Sequence, residues 1–180
     1  MEKMRVLFSE DAISRRVWDL TTDISAHYRT RGIGSIEIVQ LLEGASFFSA
    51  DLARELYKAN VEKLAIGIQS MKVRSYNGTQ SSGDVQVVLD VQKSLQGKDV
   101  LVVEDIVDTG LTLERTLSML RGHQPASLRV CTLLDKKERR KVDVPIDHTG
   151  FVIPDLFVVC YGMDCEGKYR ALPFIGVLEK

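Results

Sequence analysis

The sequence predicts an α/β fold: a mainly parallel, twisted sheet flanked by helices, with a small hood subdomain. Three observations carry that expectation. Short runs rich in β-branched residues alternate with helix-period stripes, which implies crossover units and parallel strands. The runs Val100–Val103 and Leu128–Leu134 are apolar strand candidates with a helical stripe between them. The last third of the chain carries strand-like runs without a long helix, so it departs from the alternation.

The elements follow in order. Ser9-Glu10-Asp11 is a helix start, with a capping hydroxyl and acids in the first turn. Ile13, Val17, Leu20, Ile24 and Tyr28 then recur at spacings of three and four, and Gly32 and Gly34 end that helix. Ile36–Leu42 is a short β-branched run. Ser46–Tyr57 reads as a second helix with Phe48, Leu52 and Leu56 on one stripe. Lys63–Ser70 alternates through Leu64, Ile66 and Ile68, the period of a strand. Residues 71–84 are polar and glycine-containing, either a surface hairpin or a functional lid. Val100–Val103 and Leu128–Leu134 are further strands. Between them Leu113, Leu117 and Leu120 form a third helical stripe, terminated by Arg121-Gly122. Phe157–Tyr161 and Phe174–Leu178 are read as strands of a hood formed mainly by residues from about 145 to 180 with the N-terminal segment. No repeat or linker divides the sequence, so 1–180 is expected to be a single domain.

Composition narrows the function. The 180 residues carry 24 Lys plus Arg against 25 Asp plus Glu, a net charge of −1, with 44% hydrophobic and 27% charged residues. Such a balance excludes disorder and gives no bulk basic field for nucleic acid. Cys131, Cys160 and Cys165 form no CxxC pair, which argues against a disulfide framework or a zinc site. His27, His123 and His148 show no ligand spacing. Met1-Glu2-Lys3-Met4-Arg5 lacks the apolar core of a signal peptide, and no apolar run approaches a membrane span. The expectation is a cytoplasmic protein with neither a membrane nor a nucleic-acid partner.

The chemistry concentrates in Glu104-Asp105-Ile106-Val107-Asp108-Thr109-Gly110-Leu111-Thr112, between the apolar strand and the third helix. Ligands of open α/β sheets bind outside the carboxyl ends of strands, where this segment falls. A helix N-terminus supplies unpaired N–H groups and the positive end of a dipole. Thr109 and Thr112 add hydroxyls, and Gly110 permits close approach or positive φ. Those parts suit a phosphate monoester. No GxxxxGK[ST] or GxGxxG occurs, so neither a nucleotide-triphosphate loop nor a dinucleotide fingerprint is present. Glu104 and Asp105 would repel an anion unless they accept from sugar hydroxyls or hold Mg²⁺, whose ligands are hard oxygens.

The run Val102–Thr112 resembles the phosphoribosyl pyrophosphate motif of type I phosphoribosyltransferases, and its Glu-Asp-Ile-Val-Asp-Thr-Gly form resembles the hypoxanthine-guanine branch. The resemblance extends along essentially the whole chain. Leu42-Glu43-Gly44 with Phe47–Leu52 resembles the pyrophosphate loop and its helix. Ser75-Tyr76 resembles the lid pair, which favours the lid over the plain hairpin. Leu133-Leu134-Asp135-Lys136 resembles the strand end with the purine-binding lysine, and Phe151–Asp164 with Arg170 resembles the hood.

This resemblance implies transfer of a phosphoribosyl group to a 6-oxopurine: hypoxanthine, probably guanine, with xanthine as an alternative main base. It implies that Asp108, Thr109, Gly110, Leu111 and Thr112 cradle the 5′-phosphate, while Glu104 and Asp105 hold the ribose hydroxyls and Mg²⁺. Asp108 is also implied as the general base or hydrogen-bond partner at purine N7. Lys136 would donate to O6, Phe157 would stack on the base, and Val158 would read its edge. Asp164 would approach a second Mg²⁺ and the base. Glu43, Gly44 and Arg170 would bind pyrophosphate. Lys137, Arg139 and Arg140 are expected to be solvated charges. A homodimer or homotetramer is implied too. Two positions depart from the family pattern: Glu43, where many relatives have Lys, and Leu156, often basic in relatives. The resemblance also implies a non-proline cis peptide near Glu43-Gly44. A nucleotide-binding regulator on the same fold is the competing reading, and it would need a broad basic face.

Overall fold

The computed structural model describes residues 3–59, 64–75 and 85–178. A six-stranded sheet runs in the order β4-β3-β2-β5-β6-β7. Its strands are β2 (Ser35–Leu41), β3 (Ala65–Ser75), β4 (Val85–Leu89), β5 (Asp99–Val107), β6 (Ser127–Asp135) and β7 (His148–Val152). Every pairing from β3 through β2, β5 and β6 to β7 is parallel, and only β4 joins antiparallel. A second sheet, in the order β1-β9-β8, joins β1 (Met4–Phe8), β8 (Val158–Val159) and β9 (Ile175–Leu178). The expected α/β class with a small hood is what the chain adopts. The strands of that hood come from both chain ends, whereas His148–Val152 belongs to the main sheet.

The helices cover both faces of the sheet. In α1 (Glu10–Thr30) the Ser9 side chain accepts from the Ala12 N–H, and the stripe Ile13, Val17, Leu20, Ile24, Tyr28 is buried. In α2 (Ser46–Lys58) Phe48, Leu52 and Leu56 are buried, and these two helices share one core with Ile36, Ile38, Leu101 and Val103. On the other face α3 (Leu111–Gly122) packs Leu113, Leu117 and Leu120 with Val39, Leu41, Val100 and Val102. Successive β5 residues therefore feed opposite cores. That arrangement explains the unbroken apolar run, since both faces of a central parallel strand leave water.

Several boundaries shift from expectation. Strand β5 continues past Val103 to Val107, because β6 keeps pairing with it up to Val107↔Asp135. Glu104 and Asp105 are thus held by a strand rather than by a loop. Strand β3 runs beyond Ser70 to Ser75, extended by its antiparallel partner β4. Lys63 and Tyr76 lie outside the described residues, as does the rest of the expected lid from 77 to 84. No helix among the described residues is long and apolar enough to cross a membrane.

Candidate active site

The carboxyl ends of β2, β5 and β6 meet the hood around a cavity of about 360 Å³. Its walls include Glu43, Gly44, Asp105, Asp108, Lys136, Phe157, Val158, Asp164 and Arg170. Residues far apart in sequence reach one cleft because parallel strands align their carboxyl ends on the same edge of the sheet. A larger cleft, about 710 Å³, lies between α1 and α2. Its charges largely satisfy one another, with Arg54 on Asp51 at 2.9 Å and Lys58 on Glu55 at 2.6 Å.

The loop after β5 turns into α3 at Gly110, whose φ of 84° is left-handed. A Cβ there would lie 3.2 Å from the Val142 side chain and 3.3 Å from its carbonyl oxygen, so glycine satisfies both backbone and space. The Arg140 guanidinium donates to the carbonyls of Val107 (2.9 Å) and Asp108, and pairs with buried Asp135 at 2.5 Å. Lys141 N–H donates to Thr109 O at 2.9 Å. These bonds occupy the loop's carbonyls. The first-turn N–H groups of α3, from Leu111 onward, have no acceptor within the helix, an arrangement suited to a phosphate.

Glu104 and Asp105 stand side by side at the end of β5, and Glu104 Oε1 accepts from the Asp105 N–H at 3.2 Å. Burial, followed by the neighbouring Asp105 charge, pushes the Glu104 carboxyl well above its ordinary value. Among the described residues no cation pairs with either acid. Two such carboxylates suit a divalent cation. Among the described residues no three His, Cys, Asp or Glu side chains gather into a metal cage. Mg²⁺ takes one or two carboxylates with waters and substrate phosphate oxygens.

Gly44 lets the loop after β2 press against Asp105. A Cβ on Gly44 would fall 2.1 Å from Asp105 Oδ2. The cis peptide of this turn is Leu42–Glu43, one bond earlier than Glu43-Gly44. Across the cavity Gly162, with φ of 99°, approaches so closely that its Cβ would be 2.0 Å from the Gly44 carbonyl oxygen. Gly162 was not singled out from sequence; its signal was a glycine following Cys160-Tyr161 just before Asp164.

On the hood side, Arg170 donates to Gly162 O at 2.5 Å and pairs with Asp164 at 2.7 Å. Asp164 also accepts from Gly167 N–H at 2.7 Å. Phe157 is 58% exposed at the cavity wall, while Val158 beside it is buried. An exposed aromatic face of this kind can stack on a planar group. Lys136 is only 7% exposed, and its ammonium pairs with Asp155 at 3.3 Å.

The charge run from Lys136 to Lys141 departs from expectation. Arg139 reaches Asp108 at 2.9 Å and Asp155 at 2.8 Å. Arg140 is drawn beneath the loop by Asp135, as described. Neither arginine is a free solvated charge, because the short 3₁₀ turn Lys137–Arg139 folds the run back onto the end of β5. Thr109, Leu111 and Thr112 take the positions expected on the loop and first turn. Ser75 ends β3, and Tyr76 lies outside the described residues.

A parallel α/β sheet with an anion loop, paired acids and a hood over one edge defines a phosphoribosyltransferase. Residues 11–166 match the phosphoribosyl transferase domain family, and the chain belongs to that family. Within it the chain stands with the hypoxanthine phosphoribosyltransferases. It is 42% identical over 178 residues to the hypoxanthine phosphoribosyltransferase of Haemophilus influenzae, covering 97% of this chain and 96% of that protein. The Dictyostelium discoideum hypoxanthine-guanine phosphoribosyltransferase is 38% identical over 176 residues, covering 97% and 95%. The structure of Trypanosoma cruzi hypoxanthine phosphoribosyltransferase in complex with the product IMP superposes with a TM-score of 0.90 at 37% identity, covering 99% of this chain and 95% of that one.

Proposed function

We propose that this enzyme transfers the 5-phosphoribosyl group of phosphoribosyl pyrophosphate to hypoxanthine and guanine, giving IMP or GMP and pyrophosphate in purine salvage. The observation that carries the reading is the single cavity shared by the pyrophosphate loop, Asp105 of β5, Asp108, Lys136 and the hood. The bond from C1′ to the pyrophosphate oxygen breaks, and the bond from C1′ to the purine nitrogen forms. Charge grows on the departing pyrophosphate while the ribose passes through an oxocarbenium-like state, so positioning, charge stabilisation and water exclusion dominate.

In this assignment Asp108–Thr112 bind the 5′-phosphate through the loop and the N-terminus of α3. Glu104 and Asp105 accept from the ribose hydroxyls. Asp108 takes the purine's imidazole proton or accepts a hydrogen bond from N7. Lys136 donates to O6, which selects an oxo group over the amino group of adenine, because two donors facing each other leave a buried group unpaired. Phe157 stacks on the base and Val158 reads its edge. The backbone N–H groups of Glu43 and Gly44 bind pyrophosphate, and Arg170 offers a guanidinium fork. Mg²⁺ held by Glu104 and Asp105, and a second ion near Asp164, would neutralise the pyrophosphate as it leaves. Ser75 and Tyr76 belong to the lid that excludes water.

The chain acts as one catalytic unit, since the cavity draws on both the main sheet and the hood. A homodimer or homotetramer is supported by edge strand β4, which leaves Val87, Val88 and Leu89 at 39%, 47% and 37% exposure. The free cysteines among the described residues suit a reducing cytoplasm. The deciding experiment is a steady-state assay with Mg²⁺, phosphoribosyl pyrophosphate and each of hypoxanthine, guanine, xanthine and adenine. Turnover with hypoxanthine and guanine, none with adenine, and loss of turnover with a chelator are expected. Tight, salt-sensitive nucleic-acid binding without nucleotide formation would overturn the reading in favour of a regulator.

A further inference from the structure

A carboxylate is the wrong charge for a wall that receives pyrophosphate, and Glu43 lines that wall. Its surroundings resolve the conflict. One oxygen, Oε1, accepts from Lys72 Nζ at 2.6 Å, and the other, Oε2, lies 3.3 Å from Arg170 Nη2. The two cations come from separate segments, Lys72 from β3 and Arg170 from the hood. The same Arg170 Nη2 pairs with Asp164 at 2.7 Å, and its Nη1 donates to Gly162 O. Lys72 is anchored by its own strand, because Leu42 N–H donates to Met71 O at 2.8 Å and ties the loop to β3.

We infer that Lys72 is a pyrophosphate-binding cation of this enzyme, and that Glu43 stands in for the anion, holding Lys72 and Arg170 in position until pyrophosphate displaces it. The inference rests on the functional reading above. Exposure identifies the member that moves. The Glu43 side chain is 53% exposed, against 24% for Lys72 and 29% for Arg170. A largely solvated carboxylate loses little on swinging into water, whereas both cations are more buried, Arg170 in the cavity wall itself and Lys72 one ion pair away from it through Glu43. Charge points the same way. Glu43, Lys72, Asp164 and Arg170 sum to zero at rest, so exchanging one carboxylate for a polyanion increases the attraction felt by both cations. The hydrogen bond from Lys72, together with its charge and that of Arg170, holds the Glu43 carboxyl below its usual range, so the stand-in is ionised at neutral pH.

The test compares Lys72→Met, Lys72→Arg and Glu43→Gln for the Michaelis constants of both substrates and for inhibition by pyrophosphate. Lys72→Met is expected to raise the phosphoribosyl pyrophosphate Michaelis constant and the pyrophosphate inhibition constant about tenfold. The hypoxanthine constant and the melting temperature should stay put, and Lys72→Arg should restore both phosphate constants. Glu43→Gln should tighten pyrophosphate about threefold by releasing the cations, with a smaller gain when Lys72 is already Met. An unchanged pyrophosphate constant in Lys72→Met, or an equal shift for hypoxanthine, overturns the inference. Absence of turnover with every purine would instead overturn the functional reading. In that case calorimetric binding of Mg-pyrophosphate to the wild type and Lys72→Met still decides the role of Lys72.

Discussion

Replacing Asp108 by Asn separates the chemical role of this carboxylate from its structural one. The substitution keeps size and shape but removes a negative charge and the capacity to take a proton. In the structure Asp108 Oδ1 accepts from Arg139 Nε at 2.9 Å, with the two side chains 39% and 44% exposed. A pair that open to water is worth about 0–1 kcal/mol, and the Asn amide oxygen can still accept from Arg139. The loop itself is held through the Asp108 main-chain carbonyl and Arg140, which the change leaves in place. Stability should therefore fall by less than about 1 kcal/mol, a melting shift of no more than about 3 °C for a chain this size. Loss of a proton acceptor in the transition state costs about 10²–10⁴ in rate, or about 2.7–5.5 kcal/mol. The assay is kcat at saturating hypoxanthine and phosphoribosyl pyrophosphate, paired with a thermal melt of the same preparation. A kcat within about threefold of wild type would refute the assignment. A slow enzyme whose melting point had dropped by about 10 °C would place Asp108 in the scaffold instead.

Other outcomes follow from the same geometry. Lys136→Met should raise the hypoxanthine Michaelis constant about tenfold or more by removing a charged donor, and the ratio of kcat/KM for hypoxanthine over adenine should shrink; an unchanged ratio would remove Lys136 from base selection. Gly44→Ala puts a Cβ 2.1 Å from Asp105 Oδ2, so the loop or the carboxylate must shift by about 1 Å, and kcat/KM for phosphoribosyl pyrophosphate should fall about 100-fold; wild-type kinetics would show that the contact does not matter. Glu104→Gln should change how stability depends on pH. Burial and the adjacent Asp105 raise the folded Glu104 carboxyl above its ordinary 4.5. Below that value both states are protonated and no penalty exists. As pH rises from there to the folded value, the unfolded chain releases a proton that the folded chain keeps, and the wild type loses up to about 1.4 kcal/mol per pH unit. The advantage of Glu104→Gln in urea melts should therefore be larger at pH 8 than at pH 5, and a flat or opposite trend would contradict the environment assigned to Glu104.

Local sequence was informative wherever local physics decides. Ser9 with its following acids, the stripes of α1, α2 and α3, and Gly110 before a helix were legible because caps, period and positive φ are properties of neighbouring residues. The alternation in β3 and the unbroken run in β5 were legible for the same reason. The ends of strands were not. Glu104 and Asp105 read as loop residues from composition, yet β6 holds them in the ladder through Val107↔Asp135. Likewise the first hood strand carried only a weak signal, because its partner β9 lies at the other end of the chain.

The site shows the same division. Acids clustered at a strand end with Thr-Gly-x-Thr marked an anion-binding place, and the family resemblance carried the cluster toward a base and a metal. Arg139 and Arg140 looked like part of a solvated run, since nothing nearby in sequence says that a 3₁₀ turn will fold them onto Asp108, Asp155 and Asp135. Glu43 looked like a lost cation until Lys72 and Arg170 appeared beside it. By itself the sequence determined the fold class, the phosphate loop and the chemistry available at the end of β5, because these depend on residue type and short-range spacing. Only the tertiary structure decided which charges meet, since ion pairs and glycine contacts such as Gly44 with Gly162 depend on distances between segments that only folding brings together.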